Sequence, residues 1–120
     1  MRKFTQERGG SKKAAIYCRV DQGGTVETQY DALEAQRIRL EQYALHHNIQ
    51  IAGYYEDRGC PGHLTERPGL MRLINDCLEG LFDTVLVVNH DRLYRGNRYR
   101  PPQWPFQIWT LDQPQRNIER

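Results

Sequence analysis

The sequence predicts an α/β domain of three layers, in which a mostly parallel sheet carries helices on both faces. Three short apolar segments with strand-favouring residues begin near positions 14, 49 and 84. Two longer segments between them repeat apolar residues every three or four positions. The length of 120 residues suits one domain. Strands that alternate with helices favour parallel crossovers, which cover both faces of the sheet.

The first two elements are a buried strand and a long helix. Residues 14–20, AAIYCRV, form an apolar run that ends at the turn residues 21–24, DQGG. A helix follows from about Thr28 to His47, and Asn48 is a suitable end for it. One face of this helix recurs at steps of three and four with charged residues between its positions, and it comprises Leu33, Gln36/Arg37, Leu40 and Ala44.

The next elements complete a β-α-β-α-β order. Ile49, Ile51, Gly53 and Tyr55 stand at alternate positions of residues 49–56, which predicts a second strand. A loop over residues 57–66 follows it. Pro68 suits the first turn of a second helix that ends at Gly80. Residues 84–88, TVLVV, predict a third strand buried on both faces. The second helix presents an apolar face made of Leu70, Leu73, Ile74, Cys77 and Leu78.

The two ends of the chain differ from this body. Residues 1–12 predict a basic N-terminal tail, residues 13–96 the α/β domain, and residues 97–120 an irregular C-terminal segment rich in proline and tryptophan. We expect no further helix or strand in the last segment. Trp104 and Trp109 need a surface to pack on, and the sequence leaves open which surface that is.

Charge and composition limit the kinds of binding partner that the sequence favours. The net charge is +4 over residues 1–13 and +3 over residues 91–100, whereas the body between them is acidic. Clustered basic residues favour a polyanion such as DNA, although a solvated tail and loop explain the charge equally well. No apolar run approaches the ~18 residues of a membrane span, so we expect a cytoplasmic protein without membrane contact. Three cysteines without a C-x-x-C pair disfavour a disulfide framework and a cysteine-only zinc site, and we expect no metal.

Candidate site residues follow the predicted strands, because ligands of parallel sheets bind beyond the carboxyl ends of the strands. Such residues include Asp57 and Asp91, together with the arginines Arg19, Arg67, Arg92 and Arg95. Guanidinium groups match phosphate oxygens, so a phosphoryl group is the expected ligand. The structural alternative is that Arg67 caps the loop and that Arg92 and Arg95 form a solvated face. Asp21 and Asp91 offer a further alternative, a Mg²⁺ site of a nuclease, which the neighbouring arginines oppose.

Four motifs lie in these same segments. They are YCRV at 17–20, LEAQ at 33–36, YYEDRGCPGHLTERPGL at 54–70 and DRLYR at 91–95. In this order they resemble the catalytic domain of the serine site-specific recombinases, the resolvase/invertase family. The resemblance covers residues 14–95 and implies the resolvase catalytic-domain fold. It also implies DNA strand exchange in recombination or integration, with DNA as partner and no cofactor.

The resemblance also implies roles for individual residues. In that family a serine directly after the Arg-Val pair attacks a DNA phosphodiester without a metal and forms a phosphoserine link. Several arginines neutralise the phosphate oxygens in such a reaction. The catalytic positions correspond to Arg19, Gln36, Asp57, Arg67, Asp91, Arg92 and Arg95. The expected DNA contacts are Arg19, Arg67, Arg92 and Arg95, to which the basic segment adds Arg98 and Arg100.

The sequence departs from the family at the nucleophile. Asp21 occupies the position of the serine, and a carboxylate is repelled by a phosphodiester and would give only a labile acyl phosphate. We therefore expect no strand exchange. A carboxylate there can instead pair with Arg19, Arg67 or Arg92 where a phosphate would sit. Pro61-Gly62 replaces the family's Ser-Gly in the loop after the second strand.

Beyond Arg95 nothing resembles the family's further sheet and helices or its DNA-recognition domain, so we expect a truncated recombinase domain. Three hypotheses stay open. The first is a non-catalytic module that binds DNA or a recombinase. The second is an enzyme of altered type that uses Asp21. The third is an interaction protein that docks Trp104, Phe106 and Trp109 on an intact recombinase relative. A homo-oligomer or such a relative is the expected protein partner.

Overall fold

The described part of the computed structural model covers residues 12–21, 23–59, 67–93 and 104–112, with residues 114 and 117. Within it the sheet has four parallel strands in the order β2-β1-β3-β4. A 3₁₀ turn at His90–Arg92 follows the third strand. The elements are β1 Lys13–Val20, α1 Val26–His46, β2 Gln50–Arg58, α2 Pro68–Leu78, β3 Thr84–Val87 and β4 Gln107–Thr110. The predicted α/β class with a parallel sheet is confirmed.

The two faces of the sheet carry separate cores. Along β1, Ala15 and Tyr17 point into a cluster with Leu70 and Leu73 of α2. The alternate residues of β1, such as Ile16, point into a second cluster with α1. Because successive side chains of a strand point to opposite faces, a strand between two helices must be apolar throughout. The predicted placement of helices on both faces is confirmed.

Helix α1 begins two residues earlier than the sequence predicts, because Thr25 and Thr28 cap it. The backbone N–H of Thr28 donates to Thr25 Oγ1 at 3.1 Å, and the N–H of Thr25 donates to Thr28 Oγ1 at 2.9 Å. This reciprocal pair satisfies backbone groups that the first turn leaves open. The predicted buried face is confirmed: Leu33, Gln36, Leu40 and Ala44 are buried. Asn48, with φ of 57°, follows the end of the helix.

Helix α2 buries a narrower face than predicted. Leu70, Leu73 and Cys77 are buried, but Leu78 is 68% exposed, so its prediction as a core residue is wrong. The reason is the helical period, since a residue eight positions from Leu70 lies about 80° away from it around the axis. Cys77 deviates by only about 20° and therefore faces the sheet.

Strand β4 corrects the prediction for residues 97–120. Gln107–Thr110 is not irregular but extends the sheet, with Gln107 N–H donating to the Asp83 carbonyl at 2.9 Å. The expectation that nothing after Arg95 resembles further sheet is therefore wrong as well. Proline lies close to both ends of this four-residue segment, which concealed the strand period.

The aromatic residues of this segment pack on the domain itself. Phe106 is buried in the α2-side cluster, and Trp104 stacks on it with ring centroids 5.2 Å apart. Trp109 packs against the cluster on the other face, where the Lys12 ammonium lies 5.3 Å from its ring centroid. The two tryptophans thus pack on the two core clusters of this same domain. Among the described helices, none has the length and apolar character needed to cross a membrane.

Candidate active site at the carboxyl edge of the sheet

Arg19 lies near the end of β1, and Gln36 of α1 fixes its backbone. The Gln36 side chain donates from Nε2 to the Arg19 carbonyl at 3.0 Å and accepts from the Arg19 N–H at 3.2 Å. An amide group that pairs with both peptide groups of one residue acts like a neighbouring strand. Gln36, which the sequence placed among the catalytic residues, therefore contacts the site through the backbone of Arg19.

The Arg19 side chain is fully buried and uses all three guanidinium nitrogens. Nε donates to the Arg92 carbonyl at 3.0 Å, and Nη2 donates to the Asp91 carbonyl at 2.5 Å. Nη1 donates to the carboxylate of Asp21, whose side chain is 41% exposed. Of the three arginines that the sequence offered as partners for Asp21, the structure pairs it with Arg19.

Asp57, near the end of β2, caps helix α2 from outside the helix. Its carboxylate accepts from the backbone N–H of Gly69 at 2.7 Å and of Leu70 at 2.9 Å. A negative charge at the first N–H groups of a helix is favourable. A Cβ on Gly69 would lie 2.3 Å from the Glu56 carbonyl oxygen, so the close approach of α2 to β2 requires glycine here. The Pro-Gly-Leu motif thus has a structural cause.

Tyr17 and Arg67 complete the buried part of the site. Arg67 is fully buried, and its Nε and Nη2 donate to the Tyr17 hydroxyl at 3.2 and 2.9 Å. That hydroxyl in turn donates to Asp57 at 2.7 Å. Burial, above all, raises the pKa of Tyr17 above its usual range, so the phenol stays protonated. Sequence reasoning missed Tyr17, although a hydroxyl within an apolar strand two residues before Arg19 was a usable signal.

The carbonyl groups of the turn after β3 bring the two buried arginines together. Nη1 of Arg67 donates to the Leu93 carbonyl at 2.6 Å, and Nη2 donates to the Arg92 carbonyl. Arg19 donates to that same Arg92 carbonyl. The side chains of Arg19 and Arg67 therefore meet, and the part of Arg92 that they contact is its backbone carbonyl.

The remaining predicted residues are placed differently. Asp91 is exposed, and Arg92 is half-buried with its carbonyl at the centre of the cluster. Arg95, Arg98 and Arg100 lie outside the described residues, as do Pro61 and Gly62.

The electrostatics of the site follow from this geometry. The two buried guanidinium groups, of Arg19 and Arg67, are compensated by carbonyl oxygens, by the Tyr17 phenol and by the Asp21 carboxylate, and the Asp57 carboxylate accepts from that same phenol. Groups from other residues cover the Arg19 guanidinium, and a phosphate must displace some of them to reach it. Asp21, whose side chain is 41% exposed, is one of these groups. In the described part of the chain, no group of three or more His, Cys, Asp or Glu side chains is arranged to hold a metal ion.

Comparison with known proteins decides the family. The family model for the resolvase N-terminal domain matches residues 14–98. The chain belongs to the resolvase family of serine recombinases. It is a resolvase-like catalytic domain, as its motifs predicted, and this family implies DNA binding and oligomeric assembly.

Solved structures support the same assignment. The N-terminal catalytic domain of TP901-1 integrase is 34% identical with a TM-score of 0.70, over 85% of this chain and 79% of that one. The C-terminal catalytic domain of ISC1926 TnpA, an IS607-like serine recombinase, is 28% identical with a TM-score of 0.67, over 82% of this chain and 69% of that one.

A resolvase family site-specific recombinase from Streptococcus pneumoniae is 26% identical with a TM-score of 0.57, over 72% of this chain and 58% of that one. No curated protein sequence matches this chain significantly.

Proposed function

We propose that this recombinase-family domain binds DNA at the carboxyl edge of its sheet without forming a phosphoserine link. The observation that carries the proposal is the position and pairing of Asp21. It directly follows the Arg19-Val20 pair, where the family's serine stands, and its carboxylate accepts a hydrogen bond from Arg19.

The chemistry of a carboxylate at this position opposes phosphoryl transfer. Its negative charge repels the phosphodiester, and an acyl phosphate formed by attack would hydrolyse instead of preserving the bond energy for rejoining. The carboxylate also occupies a donor of Arg19 that would otherwise be available to a phosphate oxygen. With Asp21 at this position the site therefore lacks the serine nucleophile, and it also binds an anion more weakly.

DNA binding is supported by the arginines at this edge and by the family. Arg19, Arg67 and Arg92 share one carbonyl-lined cluster, and the positive charge of residues 91–100 lies next to it in the sequence. We propose Arg92, Arg95, Arg98 and Arg100 as DNA contacts, with Arg19 and Arg67 holding the site together. A second copy of this chain or an intact recombinase relative is the proposed protein partner.

The test combines three measurements on the purified protein. We expect binding to a labelled DNA duplex that weakens steeply with salt, no nicking of supercoiled plasmid with or without Mg²⁺, and no protein–DNA adduct on a denaturing gel. An adduct would contradict the proposal, and mapping the linked residue would identify the nucleophile. Mg²⁺-dependent nicking that Asp21→Asn abolishes would support a nuclease instead. Absence of DNA binding at low salt would overturn the DNA-binding function.

A further inference from the structure

A second arginine site lies beside the cluster, on the other face of the sheet. The guanidinium of Arg58 lies 4.5 Å from the ring centroid of Tyr30, and its Nη1 donates to Gln29 Oε1 at 2.9 Å. Gln29 Nε2 donates in turn to the Gly23 carbonyl at 3.0 Å. This set, Arg58 with Tyr30 and Gln29, joins the end of β2 to the start of α1 and to the loop after Asp21.

The position of Arg58 places it next to the proposed DNA edge. Arg58 is the register partner of Val20, which immediately precedes Asp21, and adjacent strands lie about 4.8 Å apart. The N–H of Gly59 donates to the Val20 carbonyl at 3.0 Å, so the two strands stay paired to their ends. Asp57 points to the α2 face and Arg58 to the α1 face, so both sides of the β2 end carry a polar side chain.

The chemistry of the set suits a phosphate oxygen. Arg58 is exposed, and Tyr30 is 51% exposed, so the pair is accessible from solvent. Stacking on the ring and the bond to Gln29 restrict the guanidinium, which lowers the entropy cost of a further hydrogen bond. An arginine that is held in place offers its N–H groups to an anion better than a freely moving one does.

The surrounding charge limits what this site can do. The same ends of α1 and β2 carry the exposed residues Glu27, Asp31 and Glu56. These carboxylates oppose a diffuse attraction to DNA, so affinity here must come from a direct contact.

We propose that Arg58 binds a DNA backbone phosphate that flanks the one at the Arg19 cluster, with Tyr30 and Gln29 as positioning residues. The inference rests on the proposed DNA binding and adds a contact at Arg58, which lies within the motif at 54–70 but received no role from the family resemblance. A phosphate contact contributes to affinity for all DNA sequences and increases the salt dependence of binding.

The experiment measures binding of a labelled mixed-sequence duplex as a function of salt for three proteins. Arg58→Gln should bind about tenfold more weakly than the parent at low salt, and its slope of log affinity against log salt should be smaller in magnitude by about 1. Arg39→Gln is the matched control, because it removes the same charge from an exposed position of α1 about 20 Å along the helix from its start. It should bind within about twofold of the parent.

Two further outcomes separate this inference from the proposed function. If the parent binds DNA and Arg58→Gln behaves like Arg39→Gln, the phosphate contact is wrong and DNA binding stands. If the parent does not bind, DNA binding itself fails and this inference with it.

The positioning role of Tyr30 is tested by two further variants. Tyr30→Phe keeps the ring and should retain DNA binding, whereas Tyr30→Ala should weaken DNA binding about threefold. Equal binding by these two variants would remove the positioning role, and unchanged melting temperatures exclude loss of fold as the cause.

Discussion

The carboxylate of Asp21 accepts a hydrogen bond from Arg19, which is fully buried, while the Asp21 side chain remains 41% exposed. A partly exposed anion therefore compensates a buried cation at the carboxyl end of β1, directly after the Arg19-Val20 pair. The pair connects the stability of the domain with the phosphate binding proposed for this site, because both depend on the same donor of Arg19.

The first prediction concerns Asp21→Ser. Loss of the carboxylate leaves part of the Arg19 charge uncompensated, and partial exposure reduces the cost to about 1 kcal/mol, or a few degrees in melting temperature near neutral pH. Affinity for a DNA duplex at low salt should rise, because a repelling charge has gone and a donor is released. Thermal melting and a salt titration of binding measure the two effects.

Glu56→Gln is the control for this variant, because it removes one exposed carboxylate from β2 and leaves the Arg19–Asp21 pair in place. It should change the melting temperature little. An Asp21→Ser protein with the parent's stability and no higher DNA affinity would show that Asp21 does not compensate Arg19.

The second prediction concerns Gly69→Ala. Alanine favours a helix over glycine by up to about 1 kcal/mol, but its Cβ would lie 2.3 Å from the Glu56 carbonyl oxygen. The helix must then move away from β2, which also stretches the bonds from Gly69 and Leu70 to Asp57. We expect a net loss of about 2 kcal/mol in urea unfolding. Asn75→Ala, at an exposed position of the same helix, should stay within about 0.5 kcal/mol, and equal values for the two variants would contradict the close approach.

The third prediction concerns alkaline pH. Burial raises the pKa of the Cys18 thiol to about 12, and burial with the bond to Asp76 raises the pKa of Tyr55 to about 12. The folded state therefore keeps protons that the unfolded chain releases above its own pKa values of about 9 and 10. The contribution of these two protonated groups to the free energy of unfolding is fully present below about pH 9 and is lost as pH rises towards 12.

Urea unfolding at a series of alkaline pH values measures this loss. Cys18→Ala lowers stability at every pH through lost packing, but it should make the decline with pH shallower, since one linked proton is removed. A decline as steep as that of the parent would show that Cys18 ionises in the folded protein as it does in the unfolded chain.

The sequence predicted those features that depend on local pattern. The strand between 14 and 20 was visible as an uninterrupted apolar run, because helices cover both faces of the sheet. The helical face from Leu33 to Ala44 was visible because the residues of a single buried helix face recur every three or four positions. The arginine-bearing segments were visible because strand ends in a parallel sheet meet at one edge. The family motifs located the same segments independently.

Tertiary structure alone decided which groups those segments contact. Strand β4 has only four residues, and it exists because β3 offers an unpaired edge and both sheet faces offer apolar surface for Phe106 and Trp109. Tyr17 became part of the site because the space between Asp57 and Arg67 is closed to water, so each polar group there requires a partner from another element. Sequence determined that Asp21 would stand among arginines, whereas its pairing with Arg19 depends on the distances that the assembled sheet sets between their side chains.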